Sequence, residues 1–346
     1  MSAPRVAERL SGHADPSIVR VRALLAAGLA ALEEHRQEVN ALNVLPIADG
    51  DTGDNMVLTL RATLDELARL SDASGDDHGG DIGRDQIVAS VARAALLGAR
   101  GNSGVILSQL IRGAAEELAS RPGELVDPVL IAAALARAVD QAYGSVREPA
   151  EGTILTVVRE MAHRVASELA HRPDSRLGAD VSAAEQDFVI ADVIQSAVQA
   201  GQDSVARGAE VLPSLRADGI VDAGGYGLTV LLAGIVAALR GSDPRPPIDV
   251  QIPAPRTRHL SITYRYCTNF AVTGSGLESR SLVAELERLG DSVLVVGVAP
   301  TFKVHVHTDD PERALGVFAA VGEVSHVDVF DMRDQVAPRD AGPRGE

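Results

Sequence analysis

Residues 241 to 258, "GSDPRPPIDVQIPAPRTR", hold five prolines, and the hydrophobic pattern differs on the two sides of them. Proline removes a backbone donor and fixes φ, so neither a helix interior nor a central strand runs through such a stretch. Before it, from about residue 16 to 240, apolar residues recur at helical spacing, as in Leu60, Leu64 and Leu67 or Ile131, Leu135 and Val139. The breaks in that pattern are short and carry glycine: "DGDTG", "GARGNSG", "EGT" and "DAGGYG". Two aperiodic stretches, 71–85 and 171–187, read as exposed loops. After the prolines the period changes. "LSITYRYCTNFAV", "DSVLVVGVA", "TFKVHVHT" and "EVSHVDVFD" read as strands, and "ESRSLVAELERLG" and "DPERALGVFAAVG" as helices. Asp310 is placed to cap the second of these helices, with Pro311 at its first position. The order βαββαβ is that of a ferredoxin-like split βαβ unit. The chain is therefore expected to be multidomain, with an all-α unit over 15–240, a Pro-rich linker over 241–258 and a small α/β unit over 259–335.

The bulk numbers narrow the function. Lys plus Arg against Asp plus Glu, 32 − 48, leaves a net charge of −16, which speaks against a nucleic-acid surface. Apolar runs such as "LTVLLAGIVAAL" (228–239) are too short for a membrane span. The N-terminus has no apolar core of signal-peptide type, and Cys267 is the one cysteine, so a reducing, cytoplasmic setting is expected. An acidic protein that handles phosphates needs divalent metal and backbone N–H groups to do so. "DGDTGDNM" supplies candidates: Asp49 and Asp51 alternate along the chain, Gly50 and Gly53 permit tight backbone geometry, and a helical run follows at once. Hard carboxylate oxygens suit Mg²⁺ bridging to substrate phosphates. The competing reading is a solvated turn that caps a helix. A calcium loop is excluded, because the position that needs Glu is Leu60.

The longer string "ALNVLPIADGDTGDNM" resembles the signature of the L-type domain of dihydroxyacetone kinases, and is closer still to the ATP-binding subunit of bacterial fatty acid kinases. "GARGNSGVILSQLIRG", "EPAEGTILTVVRE" and "DGIVDAGGYGLTVLLAG" follow in the order the family shows. The resemblance implies an antiparallel helical barrel binding ATP at one end, with Mg²⁺ held by Asp49 and Asp51, the expected catalytic pair, and by Asn43 where the dihydroxyacetone kinases have a third aspartate. Thr52, Gly53, Asn55 and Met56 of the same motif, and Gly101, Asn102, Ser103 and Gly104 of "GNSG", fall on the nucleotide. Backbone amides over Thr52–Asn55 and Gly101–Gly104 are expected to position its phosphates, while Asp222 and Gly224 close the adenine end. Asp54 is either a further ligand or a cap, and Thr153 either touches the site or caps the helix that follows.

In the α/β unit, His305 and His307 are two apart on a strand and face one way. With Cys267 on another strand they form a donor set that Zn²⁺ accepts. The middle domain of the fatty acid kinase subunits carries a similar "Y-C-T" and "H-V-H-T", associated with zinc. His326 is a spare donor, and Asp309 and Asp310 are carboxylates nearby. The resemblance implies phosphoryl transfer from ATP to a fatty acid presented by a separate carrier protein, giving an acyl phosphate, in a homodimer. Two rivals are a regulator that senses ATP or metal without turnover, and a dihydroxyacetone-type kinase subunit. The family subunits carry a further carrier-docking domain; this chain ends at "DAGPRGE", so it is expected either to be a fragment or to dock its partner differently.

Overall fold

A computed structural model describes residues 16–43, 50–73, 84–121, 125–171, 176–178, 180–211, 221–242, 263–277 and 280–333. Nine helices are described in the first part: α1 (Pro16–Glu34), α2 (Arg36–Leu42), α3 (Thr52–Ala73), α4 (Arg84–Gly98), α5 (Gly101–Ser120), α6 (Pro128–Ser145), α7 (Ile154–Ala170), α8 (Ala183–Val211) and α9 (Ala223–Leu239). From α3 to α9 each helix packs on the next, and α9 packs on α1, which packs on α3, so the ring closes into a helical barrel. Short α2 lies across one end, against α3 and α9. Helix α9 is apolar nearly all round because it is surrounded: it also touches α7 and α3, and residues on every face are buried. Among the described residues no helix is long and apolar enough to cross a membrane.

Local signals account for several boundaries. Asp127 accepts from Leu130 N at 2.8 Å ahead of Pro128, and caps α6. Ser182 and Glu185 exchange side chain-to-amide bonds of 3.2 and 3.0 Å, a capping box that starts α8. That box corrects the loop expected over 171–187, whose last five residues are helical. Likewise 71–73 end α3 and 84–85 begin α4. The rest of the 71–85 stretch, and nearly all of the proline-rich linker, lie outside the described residues.

The second part is β1 (Tyr266–Gly274), α10 (Arg280–Leu289), β2 (Gly290–Val298), β3 (Thr301–Thr308), α11 (Pro311–Ala319) and β4 (Gly322–Asp331). The sheet order is β2-β3-β1-β4 with every neighbouring pair antiparallel, the ferredoxin-like arrangement. Asp310 caps α11, accepting from Arg313 N at 3.1 Å. All eight residues of β3 are buried, so both of its faces are covered. Phe302, Val304 and Val306 point into a core with Phe270, Leu286 and Phe318, under α10 and α11. The alternate residues, Thr301, Lys303, His305 and His307, lie on the face turned to the barrel. There Leu294 and Val296 of β2 pack against Leu96, Ala99 and Val105 of the barrel. A strand with polar residues on a fully buried face sets where the chemistry lies.

Candidate nucleotide and metal site

Helices α3, α5, α7 and α9 all begin at one end of the barrel. Their first residues or caps, Thr52, Asn102 and Ser103, Thr153 and Ile154, and Asp222 to Gly224, line one cavity of about 600 Å³. Each start presents amides with no partner inside its own helix and the positive end of its dipole, so the convergence favours an anion. Asn43 lies on the same wall. The opposite wall comes from the α/β unit, through Glu287 of α10 and Gly290 to Leu294 of β2. The pairing of β2 with β3 shifts register between Asp291 and Leu294, within the segment that lines the cavity. Arg147, which also lines it, forms an ion pair with Glu287 across the two units.

The acidic loop is only partly described, since Asp49 lies outside the described residues. Asn43 and Thr52, on either side of Asp51 in the chain, line the cavity. The expectation that amides over Thr52–Asn55 hold phosphates needs correction. Gly53 N and Asp54 N donate to Asn40 Oδ1 at 2.7 and 3.3 Å, and Asn55 N donates to Asp51 O at 2.8 Å. These three amides are committed within the protein, which leaves Thr52 at the cavity. Asp54 is bound within the helical unit: its carboxylate takes Asn40 Nδ2 at 2.8 Å and pairs with Arg36 at 3.2 Å, and neither bond caps a helix amide. Asn55 and Met56 are buried behind the cavity and do not line it, Met56 as part of the barrel core.

The loop between α4 and α5 is held from the other unit. Thr52 Oγ1 and Ser103 Oγ are 3.2 Å apart, joining the two helix starts. Gly101 opens α5 with a left-handed backbone (φ 57°), and a Cβ there would overlap Asn55 Nδ2, so the position requires glycine. Its N–H donates to Asn269 Oδ1 of β1 at 3.1 Å, so Gly101, like Gly104, supports the cavity without lining it. Lys303 Nζ of β3 donates to Leu97 O at 3.0 Å, and burial lowers this lysine to about 8. Arg100 pairs with Asp328 of β4 at 3.2 Å and lies over the Phe330 ring.

Asp222 accepts from Gly225 N at 2.6 Å and caps α9; burial raises it to about 6, against the backbone hydrogen bonds from Gly225 and Ile154 that favour its ionised form. It thus ties the starts of α9 and α7 together. Gly224 packs against Ile154. Thr153 occupies the cap position of α7 but donates to Ala150 O at 2.8 Å instead of capping.

The metal-type residues come together. Cys267 is in register with His307, and Asn269 with His305, on the paired strands β1 and β3. The ligand atoms of Cys267, His305 and His307 lie within 4.8 Å of one another, and all three side chains are buried. His305 Nε2 and His307 Nδ1 have no hydrogen-bond partner within the protein. Burial, then the neighbouring His307, holds His305 well below the usual histidine range; burial also lowers His307. Neutral imidazoles with orphaned nitrogens beside a thiol fit a soft divalent ion. The carboxylate beside the cluster is Asp291, 3.5 Å from His307 Nδ1 and on the cavity wall. Asp309 and Asp310 are spent on Arg265 N and on the α11 cap, and His326 is exposed next to Ser325.

Sequence reasoning missed Asn40, Asn269, Lys303 and Asp291. Asn269 and Lys303 had a signal, each lying two residues from a predicted zinc ligand and so on its face of the strand. Asn40 had none.

A family model of the DAK2 domain matches residues 46–237, more than half of the chain. The chain belongs to the DAK2 domain family. Beyond the DAK2 domain, residues 263–339 match the FakA-like middle domain of fatty acid kinases. Protein YloV of Bacillus subtilis is 31% identical over 328 residues, 90% of this chain and 55% of that one. An uncharacterised protein of Staphylococcus saprophyticus is 31% identical over 327 residues, 89% of this chain and 54% of its own. The chain thus spans about half the length of the curated relatives it matches. With a DAK2 domain and this middle domain it is a kinase-related subunit of the fatty acid kinase and dihydroxyacetone kinase family, which implies nucleotide binding.

Proposed function

We propose that the chain transfers the γ-phosphoryl group of ATP to the carboxylate of a fatty acid presented by a carrier protein, giving an acyl phosphate. The observation that carries this reading is the convergence of four helix starts on one cavity lined by Asn43, Thr52, Asn102 and Ser103. The positive dipole ends, and those first-turn amides that are not committed within the protein, would orient phosphates. Asp49, Asp51 and Asn43 offer the hard oxygens that would hold Mg²⁺, which when bound offsets phosphate charge. The acceptor is already ionised, so no strong general base is needed. The buried Cys267, His305 and His307 would hold Zn²⁺ inside the α/β unit, behind Asp291 of the cavity wall. A homodimer and a cytoplasmic setting belong to the same proposal.

The test is hydroxylamine trapping of product from ATP, Mg²⁺ and an oleate-loaded carrier. Asp51→Asn is expected to lower product roughly 100-fold, the scale of losing one group that stabilises developing charge. Trapped product unaffected by that change would sink the assignment. One observation favours a nucleotide-sensing regulator instead: the amides of Gly53, Asp54 and Gly101 are already committed. Tight nucleotide binding with no product for any acceptor, dihydroxyacetone included, would decide for that rival.

A further inference from the structure

Asn269 bonds to both the metal-type cluster and the start of α5. It is fully buried on β1, two residues past Cys267 and opposite His305. Its Oδ1 lies 3.1 Å from Gly101 N and 2.9 Å from His305 Nδ1, and its Nδ2 donates to Cys267 Sγ at 3.4 Å. A backbone N–H can only donate, so the carbonyl oxygen of the amide must be the atom that faces Gly101. The same oxygen then accepts from His305 Nδ1–H. In a neutral ring this leaves the lone pair on Nε2, the buried atom with no partner in the protein. One carboxamide therefore fixes the tautomer of His305, places a donor on the Cys267 sulfur, and satisfies the first amide of α5. Lys303 and Asp328 hold the flanks of the same loop at Leu97 and Arg100, so a shift of Asn269 has a rigid frame to act against.

We propose that Asn269 is a positioning residue that couples Zn²⁺ at Cys267, His305 and His307 to the geometry of the nucleotide loop at Gly101, so that metal and nucleotide bind cooperatively. This rests on the nucleotide and metal assignments proposed above. Ligation that orients His305 and Cys267 orients the amide hydrogen-bonded to both, and through its oxygen the start of α5. Two donors sharing one oxygen make the link directional: neither can move without changing the other's acceptor.

The experiment measures Mg-ADP binding calorimetrically on the full chain, stripped of zinc and reloaded, and zinc affinity by chelator competition with and without Mg-ADP. Zinc is expected to tighten Mg-ADP binding about 5–10-fold, and Mg-ADP to tighten zinc by the same factor. In Asn269→Ala both ligands still bind, and the factor falls to near one. Asn269→Asp keeps the acceptor oxygen for Gly101 and His305 but loses the donor to Cys267, so the factor is expected to fall between those of the wild-type protein and Asn269→Ala. A factor of one in the wild-type protein overturns the proposal even if Asn269→Ala does not fold, and a full factor in a folded Asn269→Ala overturns it as well. Mg-ADP that binds regardless of zinc sinks the coupling alone. A protein that binds no Mg-ADP, or no zinc, removes the underlying assignment and the coupling together.

Discussion

The loops that start α3 and α5 meet one requirement in two ways. Each enters its helix through a left-handed glycine, Gly50 (φ 64°) and Gly101 (φ 57°). Each also has an asparagine oxygen that accepts from first-turn amides. For α3 that asparagine is Asn40, on α2 of the same barrel, 13 residues away. For α5 it is Asn269, 168 residues away in the α/β unit, with Lys303 and Asp328 beside it. Among the described residues, the start of α3 is thus held from within the helical unit, whereas the start of α5 is held from the second unit. A loop built the second way can respond to what happens in its partner; a loop built the first way cannot.

Substitution at the two glycines tests the contrast most strongly. Gly101→Ala adds a clash with Asn55 to the left-handed penalty and is expected to cost about 2–4 kcal/mol in urea denaturation. Gly50→Ala meets its nearest atom, Asn40 O, at 3.6 Å, so only the backbone penalty of about 1–2 kcal/mol remains. Equal costs would break the comparison.

A smaller effect concerns the start of α9, which caps itself. Burial raises Asp222 to about 6 from an ordinary 3.8, so the native state holds its proton more tightly than the unfolded chain does. The resulting stabilisation is fully present below about pH 4 and is lost as pH rises through 6. Asp222→Asn keeps an oxygen for Gly225 N–H and cannot ionise. Going from pH 7 to pH 4, the wild-type protein should gain about 2 kcal/mol relative to this variant. A flat difference across that range would show that Asp222 is not held as a buried carboxyl.

The mildest change is Asn40→Ala, which removes the cap from α3 at a cost of about 1 kcal/mol by thermal melting. Zinc affinity should be untouched, because no bond of Asn40 reaches the α/β unit. A shift in zinc affinity would show that the two loops are linked after all.

Much of this was legible in the chain. Strand β3 was read with its ends correct, and the Asp310–Pro311 start of α11 came from two adjacent residues. The pairing of His305 and His307 on one face followed from their spacing, and Cys267 proved to lie on the adjacent strand in register with His307. The acidic motif lies at the end of the barrel where Asn43 and Thr52 line the cavity, but the amides of Gly53 and Asp54, expected on a ligand, are held by Asn40. For Asp54 the sequence allows a ligand or a cap, whereas its carboxylate is held by the side chains of Arg36 and Asn40. The capping box at Ser182 was in plain view inside a stretch read as loop, and the absence of periodicity around it hid the signal.

What the sequence determined by itself rests on interactions between residues a few positions apart: the helical and strand periods, the caps, the glycines that turn the chain, and the motifs that place the chain in its family. Tertiary structure alone decided which asparagine serves which helix start, which face of β3 meets the barrel, and that the thiol and imidazoles lie one amide away from the GNSG loop. Such contacts join groups 13 to 168 residues apart. A buried N–H accepts any well-placed oxygen, so no local pattern announces which oxygen the fold will bring to it.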